Sequence, residues 1–379
     1  MAACVPHRRE GGASGIVMEL ARQLQGFGHE VDTVFREDLL GQDSPPGRFD
    51  EFQFAARLAR RILREPERYA VVNLRAPAGC AYGFRRRYGG RRSGPPYVMT
   101  LDGLEERRVY AQRAEARKGA AWDFRLRNRL WHRFYHLPRF RMSIRTADWA
   151  ICSNREIWSY LQLVYGLDSR RLALIPHGVD PRFFRQREYG SDSPLRLLYV
   201  GTWLEQRGTR YLTEAFATLA QKLPNIRMTV VGCLGPAEPV QNSFAAAVRQ
   251  QVQVIPFVPA AQMPETYLEH DIFVFPSFFE GLPLVLLEAM ATGMPVVTTE
   301  TCGMMDVVKN EWNGVLIHPG DANAIVEAVM QLSQSRDLRI RLGQAAQQTM
   351  SEYTWEKIAR QVEAILRKAV EASRRDEAS

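Results

Sequence analysis

From residue 195 onward, apolar runs of strand length alternate with stretches of helical period. The runs are Leu197–Val200, Met228–Val231, Val252–Ile255, Ile272–Phe275, Pro295–Thr298 and Gly314–Ile317. Helical stretches such as Thr209–Lys222, Pro283–Thr292 and Ala322–Ser333 lie between them. Runs this apolar are strands buried on both faces, which means a parallel sheet covered by helices. Crossovers between parallel strands are right-handed, so the expected unit is a doubly wound α/β fold.

The first half repeats the pattern less regularly, with runs at Val31–Phe35, Ala70–Leu74, Tyr97–Leu101, Trp149–Cys152 and Leu172–Ile175. A helix is expected from about Ser14 to Gly26, after a glycine-rich turn. The polar, breaker-rich stretch 186–194 reads as a linker. At 379 residues the chain is long enough for two domains. We therefore expect one Rossmann-like domain over 1–187, a second over 188–355, and a terminal helix over 356–379. Thr354–Ala369 carries Trp355, Ile358, Val362, Ile365 and Leu366 at helical spacing.

Several classes are set aside. No apolar run approaches the roughly 20 residues of a membrane span. Met1–Pro6 is weakly apolar and runs straight into His7, Arg8, Arg9 and Glu10, which reads as no signal peptide and a cytoplasmic location. The five cysteines are far apart, without metal-ligand spacing, and read as reduced thiols. Residues 1–190 hold 34 Lys/Arg against 21 Asp/Glu, a charge of +13 within the chain's +8. That imbalance points to an anionic partner for the first half. No nucleic-acid recognition motif accompanies it, and no nucleic-acid partner is expected.

Parallel α/β sheets hold ligands beyond the carboxyl ends of their strands. Three such segments stand out. In Phe275–Pro295 a buried strand runs into a loop with Glu280 and Gly281, then Pro283 opens a helix that Gly293 stops. The amides of Gly281, Leu282 and Leu284 lie near the positive helix end, where an anion or a hydroxyl-rich ligand is held. Glu288 sits among apolar neighbours on that helix and needs partners. Alone, Glu280 reads as a solvated loop acid and Glu288 as a buried acid satisfied by backbone. With the Gly-Leu-Pro turn, the ligand reading is preferred. In the second segment, Gly201 ends a strand and Arg207 precedes Gly208, offering a guanidinium to a diphosphate. A surface arginine near a helix start is the competing reading. The third, Glu10-Gly11-Gly12-Ala13-Ser14-Gly15, lets backbone approach a phosphate or sugar, or is a plain turn.

Glu280 and Glu288, seven residues apart in E-G-L-P-L-V-L-L-E-A-M-A-T-G-M-P, resemble the E-x7-E motif of the retaining family-4 glycosyltransferases of GT-B fold. The resemblance covers nearly the whole chain. Gly11-Gly12-Ala13-Ser14-Gly15 is similar to the family's glycine loop, and Ile175-Pro176-His177-Gly178-Val179-Asp180 to its I-P-N-G-V-D segment. Val200–Gly208 is similar to its phosphate clamp, and Phe257-Val258-Pro259 to the loop beside the base. Asn313-Gly314 and Pro319-Gly320-Asp321 fit its last strand and following helix. The resemblance implies two Rossmann-like domains closing around a UDP- or GDP-sugar. Glu280, Gly281, Leu282, Pro283 and Leu284 would hold the sugar, and Glu288 the ribose hydroxyls. Arg207, with Gly201 and Thr202, would hold the diphosphate, and Gly12 would approach it from the first domain. Phe257 and Val258 would flank the base. The terminal helix would cross back to the first domain.

There are departures. Thr202 stands where the clamp has Arg, and Arg207 where it has Lys. Asp102 stands where the family often has a His near the reacting sugar, so Asp102 joins Glu280 and Arg207 as a catalytic candidate. Only Met1–Pro6 precede the glycine loop, a start shorter than the family's first strand. The implied reaction is transfer to a hydroxyl of a lipid-linked or polysaccharide acceptor with retention, in cell-envelope glycan synthesis, with neither metal nor other cofactor. Residues 122–142 interleave Arg with aromatics, and Arg85–Arg87 and Arg91–Arg92 add charge. Two readings stand: a peripheral contact with an anionic membrane, or an amphipathic helix packed on the sheet with Arg outward. Competing functions are a soluble-acceptor synthase, a sugar-nucleotide epimerase, a nucleic-acid-binding module and a non-catalytic sugar-nucleotide binder.

Overall fold

The computed structural model of the chain describes residues 1–6, 12–41, 47, 49–89, 94–109, 130–189, 195–233 and 235–378. Glu10, Gly11, Arg91, Arg92, residues 122–129 of the basic segment and 190–194 of the expected linker lie outside them. The chain divides into two compact units, with residues 1–109, 123–177 and 355–379 in the first and 178–354 in the second. The second unit thus begins at Gly178, upstream of the expected boundary at 188. The reason is local: Pro181–Phe183 forms a 3-10 turn whose Phe183 ring packs on Tyr267, 5.8 Å between centroids.

In the first unit, β1 (Val72–Arg75), β2 (Tyr97–Leu101), β3 (Trp149–Cys152) and β4 (Leu172–Leu174) form a parallel sheet in that order. The register runs Val72 beside Tyr97, Val98 beside Trp149 and Ala150 beside Leu172. Ala2 adds a parallel bridge to both Val34 and Leu74, so Met1–Ala3 lies between those two segments. Val31–Phe35, expected as a strand, contributes only the bridge at Val34. The helix Gly12–Gly26 packs against the helix Trp355–Ala378. Two contacts just past the end of the first helix reinforce this packing. His29 Nε2 lies 2.8 Å from Glu363, and Arg360 sits 4.5 Å over the Phe27 ring.

In the second unit six parallel strands are ordered β10-β9-β8-β5-β6-β7. They are β5 (Arg196–Val200), β6 (Arg227–Val231), β7 (Val252–Ile255), β8 (Ile272–Phe275), β9 (Val296–Thr299) and β10 (Val315–Ile317). All four residues of β8 are fully buried, as a strand covered on both faces must be. The Phe273 and Phe275 rings lie 5.9 Å apart and nearly parallel, and Tyr199 stacks on Phe275 at the same distance. The order reverses between β5 and β8: the chain builds outward through β6 and β7, then returns to the other side of β5. Loops after β5 and β8 therefore splay to opposite faces and leave a crevice between them.

The two loops meet where only glycine fits. Gly208 has φ +72°, and a Cβ there would overlap the Pro276 carbonyl. Gly208→Ala combines left-handed strain with that overlap and is expected to lower stability by about 2 kcal/mol or more. Gly26→Ala, at a helix position with open space around it, is expected to be neutral or stabilising by up to about 1 kcal/mol. Urea melts of the two variants give the comparison.

Candidate functional site

The loop after β5 is shaped by hydrogen bonds at its base. Gly201 N donates to Val231 O (2.8 Å), and its φ of +144° turns the chain off the strand. The Tyr199 hydroxyl donates to Thr202 O at 3.0 Å, tying the loop to the core. A 3-10 turn over Glu205–Arg207 then presents Arg207. The loop after β8 is tied to the same turn, since Phe278 N donates to Gln206 O at 3.0 Å.

This brings Arg207 Nε to 3.3 Å from Glu280 Oε1. The pair is a charge contact and not a formed hydrogen bond, because the Arg207 N–H is not aimed at the carboxylate. The guanidinium also lies 5.7 Å over the Phe275 ring. Ser277 Oγ is 3.3 Å from the same Glu280 oxygen. Burial raises the Glu280 pKa above its ordinary value, while Arg207 and Ser277 pull it down. The Arg207 Nε is itself buried and has no aligned acceptor.

Downstream, Gly281 O accepts from Gly303 N (2.9 Å), and a Cβ on Gly303 would overlap that carbonyl. The loop is thereby fixed, and Pro283 caps the helix Leu284–Ala291. The first amides of such a helix have no partner inside it and carry its positive end. Leu282 and Pro283 are buried, whereas Gly281 and Leu284 are half-buried. One turn along, Glu288 Oε2 accepts from the Tyr267 hydroxyl at 2.9 Å. Burial pushes the Glu288 carboxyl up to about 7; the Tyr267 bond opposes this, and Asp180 adds to it. Beyond β7, Phe257 is 66% exposed and Val258 half-buried. A ring that open is available for stacking on a planar ligand.

In the first unit Gly12 opens its helix with φ +61°, and a side chain added there would meet nothing within 4 Å. Asp102 follows the carboxyl end of β2. Arg75 Nε donates to its Oδ2 at 2.6 Å, and His177 Nε2 lies 3.6 Å from Oδ1. Asn73, Thr100 and Ser153 line the same small cavity. Burial holds His177 down at about 4 despite the pull of Asp102, so the imidazole is neutral near pH 7.

The basic segment is described from residue 130. Its Arg139 is buried, donates to Glu51 at 2.8 Å and lies 3.8 Å over the Tyr135 ring. His136 sits between Glu105 (3.1 Å) and Glu51 (3.4 Å), which outweigh burial and raise it to about 9. Arg141 pairs with Glu106. Of the two readings of this segment, packing with Arg outward describes the exposed Arg133, Arg141 and Arg145 but not Arg139, which is buried against Glu51.

Tyr267, Ser277 and Arg75, the partners of Glu288, Glu280 and Asp102, carry no signal in the sequence pattern. His177 stands out there only as the residue in the place of the Asn of the I-P-N-G-V-D segment.

Residues 182–349 match the family described as glycosyl transferases group 1, and residues 10–183 match glycosyltransferase family 4. Over 186 residues the chain is 27% identical to the amylovoran biosynthesis glycosyltransferase AmsK of Erwinia amylovora, covering 47% of this chain and 46% of that protein. The chain spans about half the length of the curated relatives it matches. Sucrose-phosphate synthase of Thermosynechococcus elongatus superposes with a TM-score of 0.74 at 19% identity, over 98% of this chain and 96% of that one. HepE of Anabaena in complex with UDP-glucose superposes with a TM-score of 0.68 at 16% identity, over 97% and 98%. Two adjoining family matches that run from residue 10 to residue 349, on two parallel-sheet α/β units with such neighbours, make this chain a member of the family-4 glycosyltransferases, with the GT-B fold.

Proposed function

We propose that the protein transfers a glycosyl group from a UDP- or GDP-sugar to a hydroxyl of a lipid-linked or polysaccharide acceptor in glycan synthesis, with retention at the anomeric carbon. The observation that carries this reading is the Arg207–Glu280 contact of 3.3 Å at the reversal of strand order. Membership of the family supports transfer, and the neighbour solved with UDP-glucose supports a nucleotide-sugar donor.

As the bond from the anomeric carbon to the diphosphate breaks, negative charge grows on the departing phosphate oxygen and positive charge on the sugar. Arg207 and the amides at the start of Leu284–Ala291 are assigned to the phosphate, where fixed donors act without reorganising. Gly201 and Thr202 give the diphosphate an unobstructed backbone. Glu280 is assigned to the sugar hydroxyls and faces the developing positive charge, and Glu288 accepts from the ribose. Phe257 and Val258 flank the base. Asp102, held by Arg75, is the first unit's polar contact for sugar or acceptor. Among the described residues no helix is long and apolar enough to cross a membrane, and we place the protein in the cytoplasm, peripheral at an anionic membrane face.

Arg207→Ala and Glu280→Gln are each expected to lower kcat by about 10²–10³ while circular dichroism and melting stay near the wild type. A thermal-shift panel of UDP, GDP, ADP and their sugars identifies the donor, because a ligand of the folded state raises Tm. Donor binding with no transfer to any acceptor in both wild type and variants would leave a sugar-nucleotide binder instead. Full activity in both variants would remove the assignments.

Glu288 gives a pH dependence. Its folded pKa of about 7 lies above its ordinary value, so between the two the folded state binds more protons, and this group's contribution to stability falls as pH rises. Ribose hydroxyls bond best to the ionised form. Nucleotide affinity is therefore expected to tighten by up to about tenfold from pH 6 to pH 8, with proton release visible in calorimetry across buffers of different ionisation enthalpy. Glu288→Gln should flatten the profile. A profile unchanged in that variant assigns the titration elsewhere.

A further inference from the structure

One cavity of the first unit has none of the residues assigned to donor or acceptor in its lining. It has a volume of about 540 Å³ and opens in the first unit beside residues 29–32 and 68–72, the end at which the strands begin. Asp102 follows the carboxyl end of β2, and the small cavity beside it shares only Asn73 with this one. The cavity wall is apolar, with Leu24, Val34, Leu58, Ile62, Leu366 and Val370. Four acids also line it, Glu30, Asp32, Glu363 and Glu371, and two of them are closely matched. Asp32 accepts from the Tyr69 hydroxyl (3.0 Å) and pairs with Arg68 (3.0 Å), and Glu363 pairs with Arg367 (2.8 Å).

Beside it runs a second concavity of about 400 Å³, which shares Arg61, Arg68 and Tyr69 with the first. Arg57, Arg60, Arg61, Arg64 and Arg68 line it, against one acid, Glu65. All five arginines are exposed. The cause is the helix Asp50–Arg64, which buries Phe54, Leu58 and Ile62 and turns its arginines the other way. Arg60, Arg61 and Arg64 have no acidic partner among the described residues, in contrast to Arg86, Arg139 and Arg141, which are spent on Asp148, Glu51 and Glu106. A cationic groove that opens onto an apolar chamber is complementary to one ligand chemistry, a phosphate attached to a hydrocarbon chain. The chamber falls in the volume range of small-molecule sites, roughly 300–1,000 Å³.

We propose that the base of the first unit binds an anionic lipid, with its phosphate on Arg61, Arg64 and their neighbours and its acyl chain in the chamber against Leu366 and Val370. The chain would then rest on the last turns of the helix Trp355–Ala378, so occupancy stiffens that helix against the sheet. The inference does not rest on the donor assignment, since it uses none of the residues assigned to the donor.

The test is calorimetry on the full chain, without nucleotide sugar, using single-chain alkyl phosphates below their micellar concentrations. One saturable site is expected for dodecyl phosphate. It should be at least about tenfold tighter than octyl phosphate, since a buried methylene is worth about 0.8 kcal/mol, a factor of about four. Inorganic phosphate should bind at least about 100-fold more weakly than dodecyl phosphate, and dodecyl maltoside, with the same chain and no charge, should not compete. Arg61→Glu with Arg64→Glu, at exposed positions that leave the core intact, should weaken dodecyl phosphate at least about tenfold with Tm unchanged. Leu366→Trp, which fills the chamber, should remove the dependence on chain length. Inorganic phosphate binding as tightly as dodecyl phosphate would mean an anion groove only and overturn the proposal. So would affinity untouched by the double charge reversal, or no saturable binding at all.

Discussion

The second unit is organised around the contact between the loops that leave β5 and β8. Because strand order reverses there, these loops depart to opposite faces and nothing in the sheet ladder joins them. They are joined instead through Gly208 against the Pro276 carbonyl and through Phe278 N to Gln206 O. That junction fixes the distance from Arg207 to Glu280. The aromatic stack of Tyr199, Phe273 and Phe275 below it is fully buried, and it holds the loop by a hydroxyl as well as by packing, through Tyr199 to Thr202. Sequence makes the sheet, the sheet makes the crevice, and the glycine decides how closely its walls approach.

Much of this is legible in the sequence. The runs Val252–Ile255 and Ile272–Phe275 and the helix Thr209–Lys222 occupy the same residues in the structure as in the sequence pattern. A strand buried on both faces has no choice about which residues are apolar, so its pattern is sharp. Val31–Phe35 reads as a strand on the same grounds but supplies only the bridge of Val34 to Ala2. The site carboxylates are legible because they sit in one continuous motif. Their partners are not: Tyr267 reaches Glu288 from 21 positions away, and Arg75 reaches Asp102 from 27. Pairings of that kind are set by register and crossover, and hydrophobic periodicity carries no information about them.

The charge imbalance of the first half is a second case in which composition and structure say different things. A surplus of cations suggests a uniformly attractive surface. In the structure the surplus is divided. Arg86, Arg139 and Arg141 are tied to acids, and Arg139 lies buried over Tyr135. The arginines of the helix Asp50–Arg64 are left to solvent on one face. An ion pair that is locally closed contributes little to the far field, so the anion-attracting part of the unit is smaller and more localised than its total charge implies.

The two motif carboxylates also show why the same residue type takes different roles a short distance apart in the chain. Burial raises both pKa values. Glu280 has a guanidinium 3.3 Å away to offset that rise, whereas Glu288 has a neutral phenol as its hydrogen-bond partner and the opposing charges of Asp180 and Arg182 nearby. Glu280 is thus the carboxylate whose negative charge is supported in place and balanced against a cation that an arriving diphosphate also attracts. Glu288 is the one whose charge becomes favourable when hydroxyl donors arrive. With Thr202 at the position of a second cation, Arg207 answers both to Glu280 and to any phosphate beside it. Under the proposed function, donor entry would share one positive charge between two anions, starting from the Arg207–Glu280 contact of 3.3 Å.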